Sequence, residues 1–171
     1  MANIDNLSTA FALLEKYKDL VVCSSGEKKE DLIEEAQIYL GVYFPISYKM
    51  FLRKFGFISL GGCEIYGVID SDFINSTVPD AIWFSYDNRQ YGLPHYMLQI
   101  YSVGEGTTYC LDTSQMNSEG ECPVVAWPLG GYETTPVLEI VAPDFGTFFL
   151  NLVKREIEWK KEREDGLSTS T

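Results

Sequence analysis

The side chains of this sequence that could do acid–base chemistry are carboxylates. Asp70 and Asp72, and Glu119 and Glu121, form two pairs at i, i+2, a spacing that puts both acids on one face of an extended segment. Two carboxylates about 5–10 Å apart across a sugar-sized cleft are what a glycosidase needs, so a small carboxylate-dependent hydrolase is one reading of these pairs. Spacing alone supplies no cleft. The single histidine, His95, follows Pro94 in a predicted turn with no nucleophile or orienting group beside it, and it reads as a surface residue.

Metal and phosphate chemistry find less support. Asp70-x-Asp72 begins like a calcium loop, but Ile74 stands where the third ligand belongs and Asn75 where the glycine belongs. Cys23, Cys63, Cys110 and Cys122 form no CxxC or Cys/His pair, so zinc is not indicated; in a reducing compartment they read as small buried hydrophobes, three of them in predicted strands. Gly104-Glu105-Gly106 is too short for a phosphate loop, has an acid at its centre and is followed by no lysine. It reads as a hairpin turn. No cofactor and no metal are expected.

Charge divides the chain into three. Residues 1–60 hold 8 acids and 7 bases, residues 61–145 hold 12 acids and the single base Arg89, and residues 146–171 hold 5 of each. Nucleic-acid binding requires a basic stripe, and the middle of the chain offers none. The net charge of −12 exceeds the magnitude of about 2–8 that keeps a small domain soluble. An acidic surface of this kind suits a basic protein partner, because complementary fields speed association and select the partner. The same excess also fits a face that merely repels neighbours.

The elements that must position these groups follow from periodicity. Leu7, Phe11 and Leu14 place a first helix over residues 4–17, a short strand is predicted over Leu20–Cys23, and Ser24-Ser25-Gly26 is expected to open a second helix carrying Leu32, Ile33, Ala36 and Leu40 on one face. Pro45 and Gly56 bracket a third helix, whose Tyr48, Phe51, Leu52 and Phe55 fall at i, i+3, i+4 and i+7. Strands are predicted over 60–68, 97–103, 107–112, 123–127 and 137–141, with a helix over 79–91 whose first turn holds Pro79. Asp144 is expected to cap a last helix burying Phe145, Phe148, Phe149, Leu152 and Val153.

Helices, then a meander of strands, then a helix predict an α+β domain. Its single, mostly antiparallel sheet of about five to six strands would be covered by the N-terminal helices and the C-terminal helix, with a core over residues 4–160 and a frayed tail from Gly166. The N-terminal residues show no basic start, apolar run or cleavage site, and nowhere do about 18 uninterrupted apolar residues occur. A cytoplasmic protein with no membrane association is expected.

The stretch Leu40-Gly41, Pro45, Tyr48-Lys49, Phe51-Leu52, Gly56, then Gly61-Gly62 running into Glu64-Ile65-Tyr66-Gly67 resembles the SUKH superfamily, which contains bacterial immunity proteins against polymorphic toxins and a yeast regulator of cell-wall synthesis. The acid that often precedes the helix tyrosine in that family is Ser47 here. The run from Tyr109 to Trp127 is similar to the late strands of the branch that guards Gram-positive bacteria from LXG-type secreted toxins, many of them nucleases. The resemblance implies an intracellular immunity protein that binds and neutralises a cognate toxin without catalysis, or a regulatory scaffold like the yeast relative. Partner-binding residues are read from charge and turn chemistry: Glu64, Asp70, Asp72, Glu105, Asp112, Glu119, Glu121 and Glu133. Of these, Glu105, Asp112, Glu119, Glu121 and Glu133 are expected to be exposed, on loops along one edge of the sheet.

Overall fold

A computed structural model of the chain describes residues 2–104, 106–128 and 138–168. The helices are α1 (Ala2–Lys16), α2 (Glu30–Leu40), α3 (Ile46–Phe55), α4 (Ala81–Asn88) and α5 (Phe145–Ser168). The strands are β1 (Val21–Ser24), β2 (Ile58–Leu60), β3 (Cys63–Ile65), β4 (Met97–Gly104), β5 (Thr107–Asp112), β6 (Val124–Pro128) and β7 (Glu139–Ala142). The α+β class holds. The single sheet does not: the strands form two antiparallel sheets, β1-β2-β3 and β4-β5-β6-β7.

The two sheets touch where the Tyr66 N–H donates to the Ile100 carbonyl at 2.8 Å. They do not fuse, because the backbone groups that would extend the ladder are committed elsewhere. The Tyr66 carbonyl accepts from the Tyr48 hydroxyl, the Gly67 N–H donates to Pro79 and the Val68 N–H donates to Gly56. Gly61-Gly62 divides the predicted 60–68 strand, forming the turn between β2 and β3 rather than an entry to one strand.

The apolar stripe of α3 is the centre of the core. Tyr48 and Phe51 stack at 5.8 Å, Phe145 of α5 lies 5.0 and 5.2 Å from their rings, and Phe149 lies 5.3 Å from Phe51. Leu52, Phe148 and Leu152 are buried in the same cluster, and Phe55 is half-buried beneath Phe11 of α1. Asp144 caps α5 by accepting from the Thr147 N–H at 2.7 Å, as its position predicts. The helix continues past Gly166, where fraying is predicted, to Ser168.

Two helix starts differ from expectation. Ser25 does not open α2; its hydroxyl accepts from the Phe57 N–H and donates to the Val68 carbonyl, and α2 begins after Lys29. Pro79 does not fill the first turn of α4. Asp80 caps that helix instead, accepting from the N–H groups of Ile82 and Trp83 at 2.8 and 2.9 Å.

The start of α3 has no capping side chain of its own, since its N-cap residue is Pro45. The orphan N–H of Ile46 donates to the Gly120 carbonyl at 3.0 Å. The N–H and hydroxyl of Ser47 donate to the two oxygens of Glu121 at 2.8 and 2.6 Å. Loop residues 113–123, between β5 and β6, thus cap a helix 74 residues earlier in the chain. Glu121 is therefore 1% exposed, which corrects its expected exposure. Asp112, 4% exposed, is corrected for a local reason: its carboxylate accepts from the N–H and hydroxyl of Ser114 and from the Gln115 amide.

Burial raises the Glu121 carboxyl above its ordinary pKa, with the Ser47 hydrogen bonds opposing that shift and the nearby Asp144 adding to it. A carboxyl whose pKa rises on folding is held more tightly protonated in the native state. Its stabilising contribution is present at acid pH and is lost as pH climbs from the ordinary value through the raised one. The stability of the wild type relative to Glu121→Gln should therefore fall as pH rises above the ordinary carboxyl value of about 4, measured by urea denaturation; a flat or rising difference would contradict the burial effect. At pH 7, Glu121→Ala should cost about 1–3 kcal/mol by orphaning the Ser47 donors. Phe51→Ala should cost about 3–5 kcal/mol, and a loss below about 1 kcal/mol would mean that the stripe of α3 is not the core.

Candidate interaction surface

Of the eight carboxylates singled out by the sequence, Glu64, Asp70, Asp72 and Glu119 are exposed. Glu105 and Glu133 lie outside the described residues. Glu64 stands at the middle of β3, opposite Ser59 of β2. Glu119 projects from the loop whose neighbouring Gly120 and Glu121 cap α3.

Asp70 and Asp72 fold their own loop. Asp70 accepts from the Asp72 N–H at 2.8 Å, and Asp72 accepts from the N–H groups of Ile74 and Asn75 and from the Asn75 amide. These bonds, led by that of the Asn75 N–H, hold the Asp72 carboxyl below its ordinary pKa. The i, i+2 pair is a chain of Asx turns. The Glu119/Glu121 pair is likewise split, one acid in solvent and the other under α3.

The loops carrying the candidate acids do not share one edge. The β4–β5 hairpin connection precedes β5 and the 113–123 loop follows it, so they leave the sheet at opposite ends of that strand. Glu119 and the Gly104–Gly106 turn belong to different parts of the surface.

Sequence reasoning missed a second feature, a groove between α2 and the segment 73–90. Tyr39 of α2 lies 5.1 Å from Phe73 and 4.9 Å from Tyr86 of α4. With Ile74, Trp83 and Asp87 these residues enclose a cleft of about 290 Å³. Tyr86 and Asp87 continue into a shallower depression of about 470 Å³ beside Arg89 and Gln90. Ile74 is 72% exposed and Tyr86 50% exposed, large apolar areas for a free surface. The sequence places Ile82, Trp83 and Tyr86 on one helical face, but Ile82 is buried while Tyr86 faces the groove. The pairing with Tyr39 depends on the tertiary approach of α2 to α4.

Arg89, the one base of residues 61–145, secures this arrangement. Its guanidinium donates to the carbonyl of Leu40, at the end of α2, at 2.6 Å and to that of His95 at 2.9 Å. It also lies 5.6 Å from the centre of the Tyr86 ring. The cation thus holds the C-terminal end of α2 against the turn that follows α4.

The remaining reactive groups are dispersed. His95 is exposed and meets the edge of Tyr96. Cys63 and Cys110 are buried, their thiols pushed up to about 12 chiefly by desolvation, and Cys122 is buried with its thiol raised for the same reason. Cys23 is exposed, contrary to its expected burial. Among the described residues no group of three or more His, Cys, Asp or Glu is arranged to hold a metal ion. No helix among them is long and apolar enough to cross a membrane.

Glu64, Asp70, Asp72, Glu119 and Tyr86 thus face outward on a scaffold whose capping loop and aromatic core are internal. The family model described as SMI1-KNR4 cell-wall (SUKH_5) matches residues 9–154, from α1 to the middle of α5. That span includes α3, both sheets and the groove. Membership of this family is consistent with a role in protein–protein interaction, in immunity or in regulation. With more than half of its length matched, the chain belongs to the SMI1-KNR4 (SUKH) family.

Proposed function

We propose that this chain is an intracellular immunity protein that binds a cognate secreted toxin of the LXG type and neutralises it without catalysis, the toxin domain being a basic nuclease. The observation that carries this reading is the segregation of charge. The stretch 61–145 has 12 acids against Arg89 alone, and Arg89 is engaged with backbone carbonyls. Exposed Glu64, Asp70, Asp72 and Glu119 add negative charge to the surface, whereas a nuclease must present a cationic groove to hold its polyanionic substrate. A protein that covers such a groove gains speed and selectivity from surface carboxylates.

The carboxylate pairs that a hydrolase could have used are committed to other work. Asp70 and Asp72 build turns, Asp112 holds a short 3-10 turn, and Glu121 caps α3.

Charge reversal tests this reading. Glu64→Lys, Asp70→Lys and Glu119→Lys combined should slow association with the cognate LXG-type toxin domain by about tenfold at low salt and flatten its salt dependence. Thermal stability should fall by no more than the loss of the exposed Asp70–Asp72 turn bond, about 1 kcal/mol, because all three side chains are exposed. A triple variant with the wild-type on-rate at low salt would show that these acids form only a solvated surface.

A further inference from the structure

The groove between α2 and α4 has the composition of an interface centre. Tyr and Trp are enriched at such centres because they bury much area for few rotatable bonds, and Tyr39, Trp83 and Tyr86 meet here with Ile74 at the rim. The rings are held in place: Tyr39 is wedged between Phe73 and Tyr86, and Trp83 stacks on Phe84, which in turn meets Tyr66 edge-on. A surface already ordered in this way loses little side-chain entropy on binding.

Charge identifies the occupant. Helix α2 carries Asp31, Glu34 and Glu35, besides Glu30, which is paired with Arg53 of α3, and no base. Glu35 is exposed one turn before Tyr39, Asp87 lines the cleft, and the Asp72 carboxylate is bonded to the N–H of Ile74 at the rim. Against these acids stands Arg89, whose donors reach Leu40 and His95. Aromatic faces beside carboxylates favour lysine and arginine side chains, whose cationic heads meet the acids while their stems or guanidinium planes lie on the rings. A second copy of this chain would set acidic wall against acidic wall. The cleft of about 290 Å³ lies at the lower limit of small-molecule pockets, about 300–1,000 Å³, and accommodates an inserted side chain.

We infer that the groove bounded by Tyr39, Phe73, Ile74, Trp83, Tyr86 and Asp87 is the docking surface for a lysine- or arginine-bearing segment of the toxin domain. This rests on the toxin-binding reading above. Tyr86 and Trp83 are the anchors of the contact, and Asp72, Glu35 and Asp87 are its electrostatic frame.

The test is isothermal titration with the purified cognate LXG-type toxin domain, comparing the wild type with Ile74→Lys, Tyr86→Lys and, as a control for added charge, Val22→Lys on β1, which is 66% exposed. Each groove variant should weaken binding by about 30-fold or more, while Val22→Lys stays within about threefold. Absence of binding by the wild type would sink the toxin-binding reading and the inference with it. Wild-type binding with groove variants no weaker than Val22→Lys would overturn the groove alone. Hydrogen exchange on the unmutated protein gives a second readout that needs no variant: toxin should slow exchange in residues 72–91 and the last turns of α2, and protection confined to other segments would overturn the inference. A concentration-dependent dimer in sedimentation, abolished by Tyr86→Lys, would reassign the groove to self-association and overturn it as well.

Discussion

Helix α3 is short and amphipathic, it packs against α1, α2 and α5, and its N-terminal end has no capping side chain of its own. That condition organises the fold, because each orphan N–H or C=O left dry costs about as much as a lost hydrogen bond. The N-terminal donors are met by Gly120 and Glu121 from the loop between β5 and β6. At the C-terminal end Gly56 turns with φ +67, packs against Ser25 and passes its carbonyl to Val68, while a Cβ on Gly67 would collide with that carbonyl. The glycines on either side of β2–β3 thus let a helix end, a serine and the strand exit converge at backbone distance. Buried Tyr48 and Phe51 then pack against Phe145 and Phe149.

Local rules made much of this legible in the sequence. Apolar spacing in α3 and α5, the stop at Gly56, the cap at Asp144 and the hairpin around Gly104–Gly106 each depend on residues within one or two turns of each other. What could not be read locally was where distant polar groups meet. Glu121 looks like a loop acid until α3 arrives above it, and Asp112 like a strand-end acid until Ser114 and Gln115 fold back on it. The separation of the sheets has the same origin: residues 66–68 have good strand chemistry, but Tyr48, Gly56 and Pro79 claim their hydrogen bonds. Ser47 precedes the helix tyrosine, and the carboxylate at that helix start comes from Glu121.

The surface shows the same division. Charge counting located the acidic middle of the chain, yet two of the acids it favoured serve the interior, and those left outside spread over several loops. The aromatic groove escaped notice because its two walls come from segments more than thirty residues apart, Tyr39 on one side and Phe73, Trp83 and Tyr86 on the other. Arg89 joins them by donating to the end of α2. A carboxylate frame around ordered rings suits a cationic protein surface.

Neutralisation by occupancy has a stoichiometric signature that catalysis lacks. The measurement to make is a titration of the toxin domain's nuclease activity with increasing amounts of this protein, followed by mass analysis of the recovered toxin. The account predicts a linear fall to an end point at one immunity protein per toxin domain, with the toxin chemically unchanged and active again once separated. Inactivation at far below one equivalent, a covalently altered toxin, or undiminished activity at saturation would contradict it.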